Sequence, residues 1–382
     1  MSIRPQCSRI VLSYDREVVY GSPIGDAYID KRFNPTAPPI MDLVQARIDD
    51  AADIKGFEWP YDTDLDIITA QDISIPFSFP CSSQLAGLLF ALAMGSIDSS
   101  FAGDPYTHTL KPQDACAEDV LPSTSIVVAL IGDTGTYYLL KGAMVGDLKL
   151  VLNSAGRLII SGTFHTDGTI TPKPGFTLPS TPVVQDWFTG RHGDFHIGNY
   201  GGSLSSIKTK LRTLDFSIAN NLDLADGRSN VVNAGIYLST LRFGARAYTL
   251  TAKFDGHPST NDQLWEDHRL GTVKDVQVPI IITANDSITI RMKKAKIAIC
   301  KASFDGLRDV LDVTFKAFYA NSEAAPVVVT VVNNVPIYLG SEGASASVSP
   351  SASISPSQSM SASVSPSASV SASVSPSASA SA

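Results

Sequence analysis

The sequence predicts a mainly β protein: two tandem antiparallel β-sandwich domains, each with a flanking α-helix and a long hairpin, and a disordered Ser/Ala/Pro tail. Three observations carry that expectation. Two long stretches alternate apolar and polar residues with a period of two, each folded on a short turn. A helix is read at one place in each half, the first from apolar residues at helical spacing. Near residue 343 the composition changes completely, and little that is bulky remains to bury.

The first hairpin is Tyr137 to Phe164, YYLLKGAMVGDLKLVLNSAGRLIISGTF. Leu148, Leu150 and Leu152 alternate with Asp147, Lys149 and Val151. Beyond the turn, Leu158, Ile160, Gly162 and Phe164 alternate with Ile159, Ser161 and Thr163. Asn153-Ser154-Ala155-Gly156 supplies the turn, with Gly156 free to take a positive φ. A second hairpin runs from Ile288 to Phe318. Ile297 and Ile299 lie before its turn, Phe304-Asp305-Gly306, and Leu307, Leu311, Val313 and Phe315 after it. Thr163-Phe164 and Thr314-Phe315 close both in the same way. Two occurrences point to a duplicated domain rather than a solenoid, although periodicity alone does not distinguish duplication from two unrelated hairpins.

In chain order, Ser8 to Tyr20 reads as a strand and Ala27 to Ile40 as an irregular loop. Asp72 to Phe79 alternates but carries Pro76, which cannot donate to a ladder, so an edge or broken strand is expected. Ser82-Ser83 opens a helix to Met94, with Leu85, Leu88, Leu89 and Leu92 at helical spacing and Gly95 ending it. Ser96 to Pro122 reads as loop with one short strand at Tyr106 to Leu110, and Ser125 to Ile131 as a buried strand. The second half offers a strand at Ser205 to Asn220, an extended stretch at Gly235 to Phe254, and a helix at Asn261 to Leu270. A strand at Val273 to Ala284 precedes the second hairpin, and Pro326 to Leu339 is the last strand. The domain boundaries follow: a first β domain over 1–170, a Pro/Gly-rich connector over 171–202, a second over 203–340, and the tail over 341–382. In the tail every odd position from Ser345 to Ser381 is serine, with prolines interrupting any ladder, so ordering entropy is not repaid.

Composition excludes several functions. The net charge is −8, with Lys+Arg 29 against Asp+Glu 37, whereas a nucleic-acid binder draws its affinity from phosphate neutralisation. No apolar run spans a bilayer and the first residues lack a signal-peptide core, so a chain made and kept in a cytoplasm, with no membrane partner, is expected. The cysteines Cys7, Cys81, Cys116 and Cys300 form no C-x-x-C pair, which argues for free thiols rather than zinc. Asp62, Asp64 and Asp66 resemble a calcium loop, but the positions that require Gly and Glu are Ile67 and Ile73. His192 and His196 flank Asp194 at a metal-ligand spacing, yet Gly193 and Gly198 oppose the helix that would align them. No nucleophile, phosphate-binding or zincin motif is present, so neither an enzyme nor a cofactor is expected. Amphipathic strands without chemistry point instead to a structural or binding protein whose open strand edges meet neighbouring copies.

The stretches KGAMVGDLKLVLNSAGRLIISGTF, SIKTKLRTLDFSIANNLDL and KKAKIAICKASFDGLRDVLDVTFKAF, followed by VVVTVVNN, resemble the tail tube (major tail) proteins of long-tailed bacteriophages. The resemblance covers roughly residues 20 to 338, and the type it matches carries tandem tube domains. It implies a structural virion protein whose hairpins join between subunits into a barrel. Stacked rings of such barrels form the conduit for DNA leaving the capsid. Double-stranded DNA would pass without specific binding, and other tail proteins would be partners. Duplicated tube domains imply a homotrimer that mimics sixfold symmetry. On the resemblance, hairpins Met144–His165 and Lys294–Tyr319 would form the barrel wall and line the lumen, and the arm Tyr20–Ile54, with Tyr28, Phe33, Met41 and Val44, would contact the next ring. One feature sits poorly with a conduit: Arg291, Lys293, Lys294, Lys296 and Lys301 crowd the second hairpin, as if facing an acidic neighbour. The alternative is a virion-surface or adhesin-like protein displaying the serine tail, with exposed aromatics around Trp59, Trp187 and Trp265.

Overall fold

The period-two patterns become strands in a computed structural model of the chain. It describes residues 9–36, 41–49, 66–101, 105–114, 120–129, 137–180, 183, 186–224, 238, 241–256, 258–305 and 308–341. The first half contains β1 (Arg9–Leu12), β2 (Asp15–Arg16), β3 (Lys31–Phe33), β4 (Asp42–Asp49), β5 (Asp66–Pro80), α1 (Ser83–Met94), β6 (Gly95–Phe101) and β7 (Tyr106–Pro112). There follow β8 (Thr124–Ala129), β9 (Tyr137–Asn153), β10 (Ile159–His165) and β11 (Ile170–Pro172). The second half contains β12 (His196–Asn199), β13 (Ser205–Ser206), β14 (Leu211–Ala219), β15 (Leu222–Asp223), β16 (Arg242–Phe243), β17 (Ala247–Asp255) and α2 (Pro258–Leu270). It ends with β18 (Val273–Thr283), β19 (Asp286–Asp305), β20 (Arg308–Ala317), β21 (Val328–Asn333) and β22 (Gly340–Ser341). The chain is mainly β, as its alternation predicts, with two α-helices among the described residues.

Strand β9 organises the sheet. Its first part pairs with β8 and β11, and its second with β10 and β14, all antiparallel. The pairing with β14 crosses the Pro/Gly-rich connector, so strands from both halves share one ladder. The run of neighbours is β4-β5-β10-β9-β14-β17-β20-β19. The first part of β19 instead pairs with β18 and β21, and β21 continues to β7 and β6. Packing between these layers is apolar and continuous: Phe79, Phe90, Phe164, Phe216, Phe254 and Phe315 are all fully buried.

Helix α1 lies inside that core, packed on β9, β21 and β7. Every residue from Leu85 to Met94 is buried, which explains a segment apolar on all sides. Ser82 caps it by accepting the Leu85 N–H at 3.4 Å, and Gly95 closes it at a φ of 89°, where a side chain is strained. Helix α2 is stopped by Gly271 at positive φ, as its sequence predicts.

The structure decides four local expectations. Strand β5 runs unbroken through Pro76, which lies opposite Thr163 of β10, and the β4 pairing covers only Asp66–Ser74, so of the two alternatives the edge reading holds and the break does not. Gly156 is not at positive φ: the turn closes by its N–H donating to the Asn153 carbonyl at 3.1 Å. The stretch after α1 is a β-hairpin, β6 with β7, rather than loop. Within the expected loop of 27–40, β3 pairs with β1 and buries Phe33. The turn expected at Gly132–Gly135, Gly306 and the tail beyond Ser341 lie outside the described residues.

Candidate functional site

Chemistry on this chain is sparse, and the feature that could act is the run of eight strands. One face of that run is the core. The other is half-exposed and rich in hydroxyls, carrying Ser161, Thr163, Ser217, Thr249, Thr251 and Thr314. Ser217 and Thr249 Oγ atoms lie 2.5 Å apart across β14 and β17, and those of Thr251 and Thr314 lie 3.1 Å apart across β17 and β20. Charges of both signs are interleaved: Lys149 Nζ is 3.0 Å from Asp215 across the β9–β14 junction. Exposed pairs of this kind contribute little stability, so their effect is to balance the surface.

The two hairpins share a register. In the first, a β-bulge leaves Gly146 unpaired between Val145, opposite Phe164, and Asp147, opposite Thr163. In the second, a bulge leaves Ala298 unpaired between Ile297, opposite Phe315, and Ile299, opposite Thr314. The Thr-Phe pairs read from the sequence thus mark equivalent rungs. Beyond them, Phe164 lies opposite Ile75 of β5, and Phe315 opposite Leu250 of β17. The order β4-β5-β10-β9 therefore repeats as β14-β17-β20-β19, with a helix after β5 and after β17 in turn. In the first hairpin Ser154 to Leu158 join the strands.

Of the residues expected to build the barrel wall, Leu148, Leu150, Leu152, Leu158, Ile160, Phe164, Ile297, Leu311, Val313 and Phe315 are buried on the core face. Ile299 is 56% exposed. Of the arm residues, Phe33 sits in the chain's own core with its ring 6.2 Å from Phe79, and Met41 packs on that core. Tyr28 is exposed, and Val44 is described only as a position in β4. Where the first half of the run ends, β4 pairs on one side with β5; where the second ends, Ile297–Asp305 of β19 pairs on one side with β20. Among the described strand pairings the other side of each is open, although His268 Nδ1 of α2 meets the Ile297 carbonyl at 3.1 Å. The exposed Leu43 and Ile299 mark those two edges.

The crowded cations of the second hairpin are partly matched within the chain. Arg291 makes a two-point contact with Asp275, at 3.2 and 2.8 Å, which holds its guanidinium pKa above the ordinary value. Lys293 Nζ donates to Glu323 at 2.8 Å and lowers that carboxyl's pKa. The hairpin itself is formed by the pairing of β19 with β20. The two histidines at metal-like spacing are engaged separately: His192 Nδ1 accepts the Thr189 N–H at 3.1 Å, and His196 Nε2 meets Asp194 at 3.0 Å. Cys81 and Cys300 are buried free thiols, and burial pushes Cys300 up to about 11. Trp187 and Trp265 are exposed, and Trp59 lies outside the described residues.

Sequence reading missed the open edge at β4 and the β9–β14 junction. The first has only a weak alternation, DLVQARID. The second joins residues with no local link, and the alternation of each strand suits any apolar neighbour. The family model described as phage tail tube protein matches residues 8–365. No curated protein matches the chain.

Proposed function

The chain belongs to the phage tail tube protein family and is a structural component of the tail, and from that premise we propose that three copies close each ring of the tube. Each copy supplies two equivalent four-strand units to one barrel. The observation that carries this reading is the repeated order β4-β5-β10-β9 and β14-β17-β20-β19, with a bulge at the same rung of each hairpin. Two fused units per chain turn a sixfold arrangement of units into a threefold arrangement of chains. Open edges at both ends of the run leave backbone donors and acceptors that ring closure satisfies.

On this reading the hydroxyl-rich face lines the lumen and the apolar face packs outward on α1 and the remaining strands. Double-stranded DNA passes over interleaved charges without a cationic track to hold it. Self-assembly into a tube beside other tail proteins is the family's role, and assembly takes place in the host cytoplasm. Among the described residues no helix is long and apolar enough to cross a membrane. Nothing favours the surface-adhesin alternative.

Electron microscopy of the purified, assembled chain, with class averages viewed down the tube, tests the proposal. Threefold rings built from three chains support it. Rings of six chains, or a chain that stays monomeric at high concentration, overturn it.

A further inference from the structure

The internal junction between β9 and β14 is a template for the junction between copies. There, Lys149 lies opposite Ser217 and Leu148 opposite Ile218. The shared bulge makes Asp147 equivalent to Ile299, and hence Leu148 to Cys300 and Lys149 to Lys301. On the other strand, Ser217 lies opposite Thr249 just as Asp42 lies opposite Ser74, so Asp42 is equivalent to Ser217 and Leu43 to Ile218. Resting on the self-assembly reading, we propose that β19 of one copy pairs antiparallel with β4 of the next, in the register that sets Lys301 opposite Asp42 and Cys300 opposite Leu43.

The side chains at these rungs agree with that register although nothing in its derivation used them. Leu43 faces the core side, because its partner Ile73 is fully buried, and it is 44% exposed in the single copy. Cys300 faces the same side, because its partner Val313 is fully buried. Lys301 and Asp42 face the hydroxyl-rich side with opposite charges, and both are exposed. A slip of one residue would set Lys301 against Leu43 and turn every side chain of β4 to the wrong face, so the register is strongly specified. Both edges are strand backbone, and the occupant that fits each is the other edge of a second copy.

Cross-linking tests the register. Leu43→Cys is made with the native Cys300, and Asp42→Cys is combined with Lys301→Cys and Cys300→Ser. Adjacent antiparallel rungs alternate between wide and narrow pairs, so one of the two designs places its thiols at the narrow spacing that suits a disulfide. Gln45→Cys with native Cys300, two residues out of register, is the control. Oxidised tubes are run on a non-reducing gel, and peptide mass spectrometry identifies the linked residues. The expected result is covalent trimers linked at 43–300 or 42–301, about tenfold more abundant than 45–300. Tubes that form with neither link, or that link 45–300 preferentially, overturn the register while self-assembly stands. Wild-type chain that forms no rings overturns both. Hydrogen exchange of wild-type chain supplies the check without mutation: amides of 42–44 and 299–303 are expected to slow about tenfold on assembly, and unchanged rates refute the pairing.

Discussion

Phe216→Ala tests whether the two halves of this chain fold as one. The ring is fully buried on β14, opposite Leu150 of β9 and Leu250 of β17, and its centroid is 6.1 Å from that of Phe90 in α1. One side chain therefore joins a strand and a helix of the first half to a strand pair of the second. Truncating a buried Phe to Ala costs about 3–5 kcal/mol through lost burial and a residual cavity. That is a large part of a total stability of roughly 5–15 kcal/mol, and corresponds to a melting shift of about 4–7 °C for a chain this long. The assay is hydrogen exchange of the unassembled chain across a urea series, read on peptides from β5 and β10 and from β17 and β20. Because β9 and β14 share a ladder, both sets are expected to lose protection together and at lower urea than in the wild type. If only the β17 and β20 peptides respond, with β5 and β10 unchanged, the junction is a contact between independent domains and the reasoning fails.

Other perturbations follow from the same packing. A Cβ on Gly162 would clash with the Asp147 carbonyl and lie 2.9 Å from the Phe77 ring, whereas the equivalent Val313 faces Ala252. Gly162→Val is expected to cost about 1–3 kcal/mol in urea titration, and combined with Phe77→Ala to cost less than the two single losses added, because the ring is removed while the carbonyl cannot withdraw. The buried Glu17 carboxylate accepts from the Gly142 and Gly21 N–H groups and the Ser123 and Ser125 hydroxyls, tying the N-terminal segment to β8 and β9. Glu17→Gln turns an amide donor toward those donors, and thermal melts are expected to show a loss of about 2–4 kcal/mol. Burial raises the Glu17 pKa, outweighing those hydrogen bonds. Its contribution is thus complete below the ordinary carboxylate range and fades as pH rises through the raised value. Glu323 has the opposite sign: lowered chiefly by the Lys293 hydrogen bond, it stabilises above the ordinary glutamate value, and the effect is lost as pH falls through the depressed one. Melting temperatures of Lys293→Ala between pH 3 and about 6 should show a shallower acid-side loss than the wild type.

What was legible in the sequence was legible for a physical reason. Leu148, Leu150 and Leu152 show their strand because a period of two is a local property, set by the pleat. Helix α1 was readable because Ser82, four leucines and Gly95 specify its start, face and end within fourteen residues. Strand β6 was not, because Gly95–Phe101 is mostly exposed and becomes a strand through its pairing with β7. The cations of β19 could not be understood locally either. Glu323 is 30 residues from Lys293, and Asp275 faces Arg291 only because β18 and β19 pair. The same holds for the candidate site, a pair of strand edges with no partner strand among the described residues. An edge exists only by virtue of what lies beside it, so no spacing within DLVQARID could reveal which of its sides is paired.

The charge argument sharpens once the two faces are separated. A net charge of −8 does not say which surface is acidic. On the hydroxyl-rich face, Asp42, Asp147, Asp215 and Asp312 are interleaved with Lys149, Lys253, Lys301 and Lys316, and Lys296 lies opposite Lys316, so fields of opposite sign largely cancel within about a Debye length of 8–10 Å. If this face lines the lumen, as proposed, a duplex passing it meets few unbalanced cations from which to release counterions, and hence little sequence-independent affinity to slow it. Charge balance, rather than strong repulsion, is then the property that this face would bring to a conduit. It also makes the face sensitive to single changes of one sign. Converting Asp215 to Lys would leave Lys149 without its 3.0 Å partner and create a cationic patch, repeated once per chain around each ring. Tubes carrying that variant are expected to retain short duplex DNA at low salt and release it as salt rises, measured by filter retention. Equal retention by wild-type and variant tubes would place this face away from the lumen.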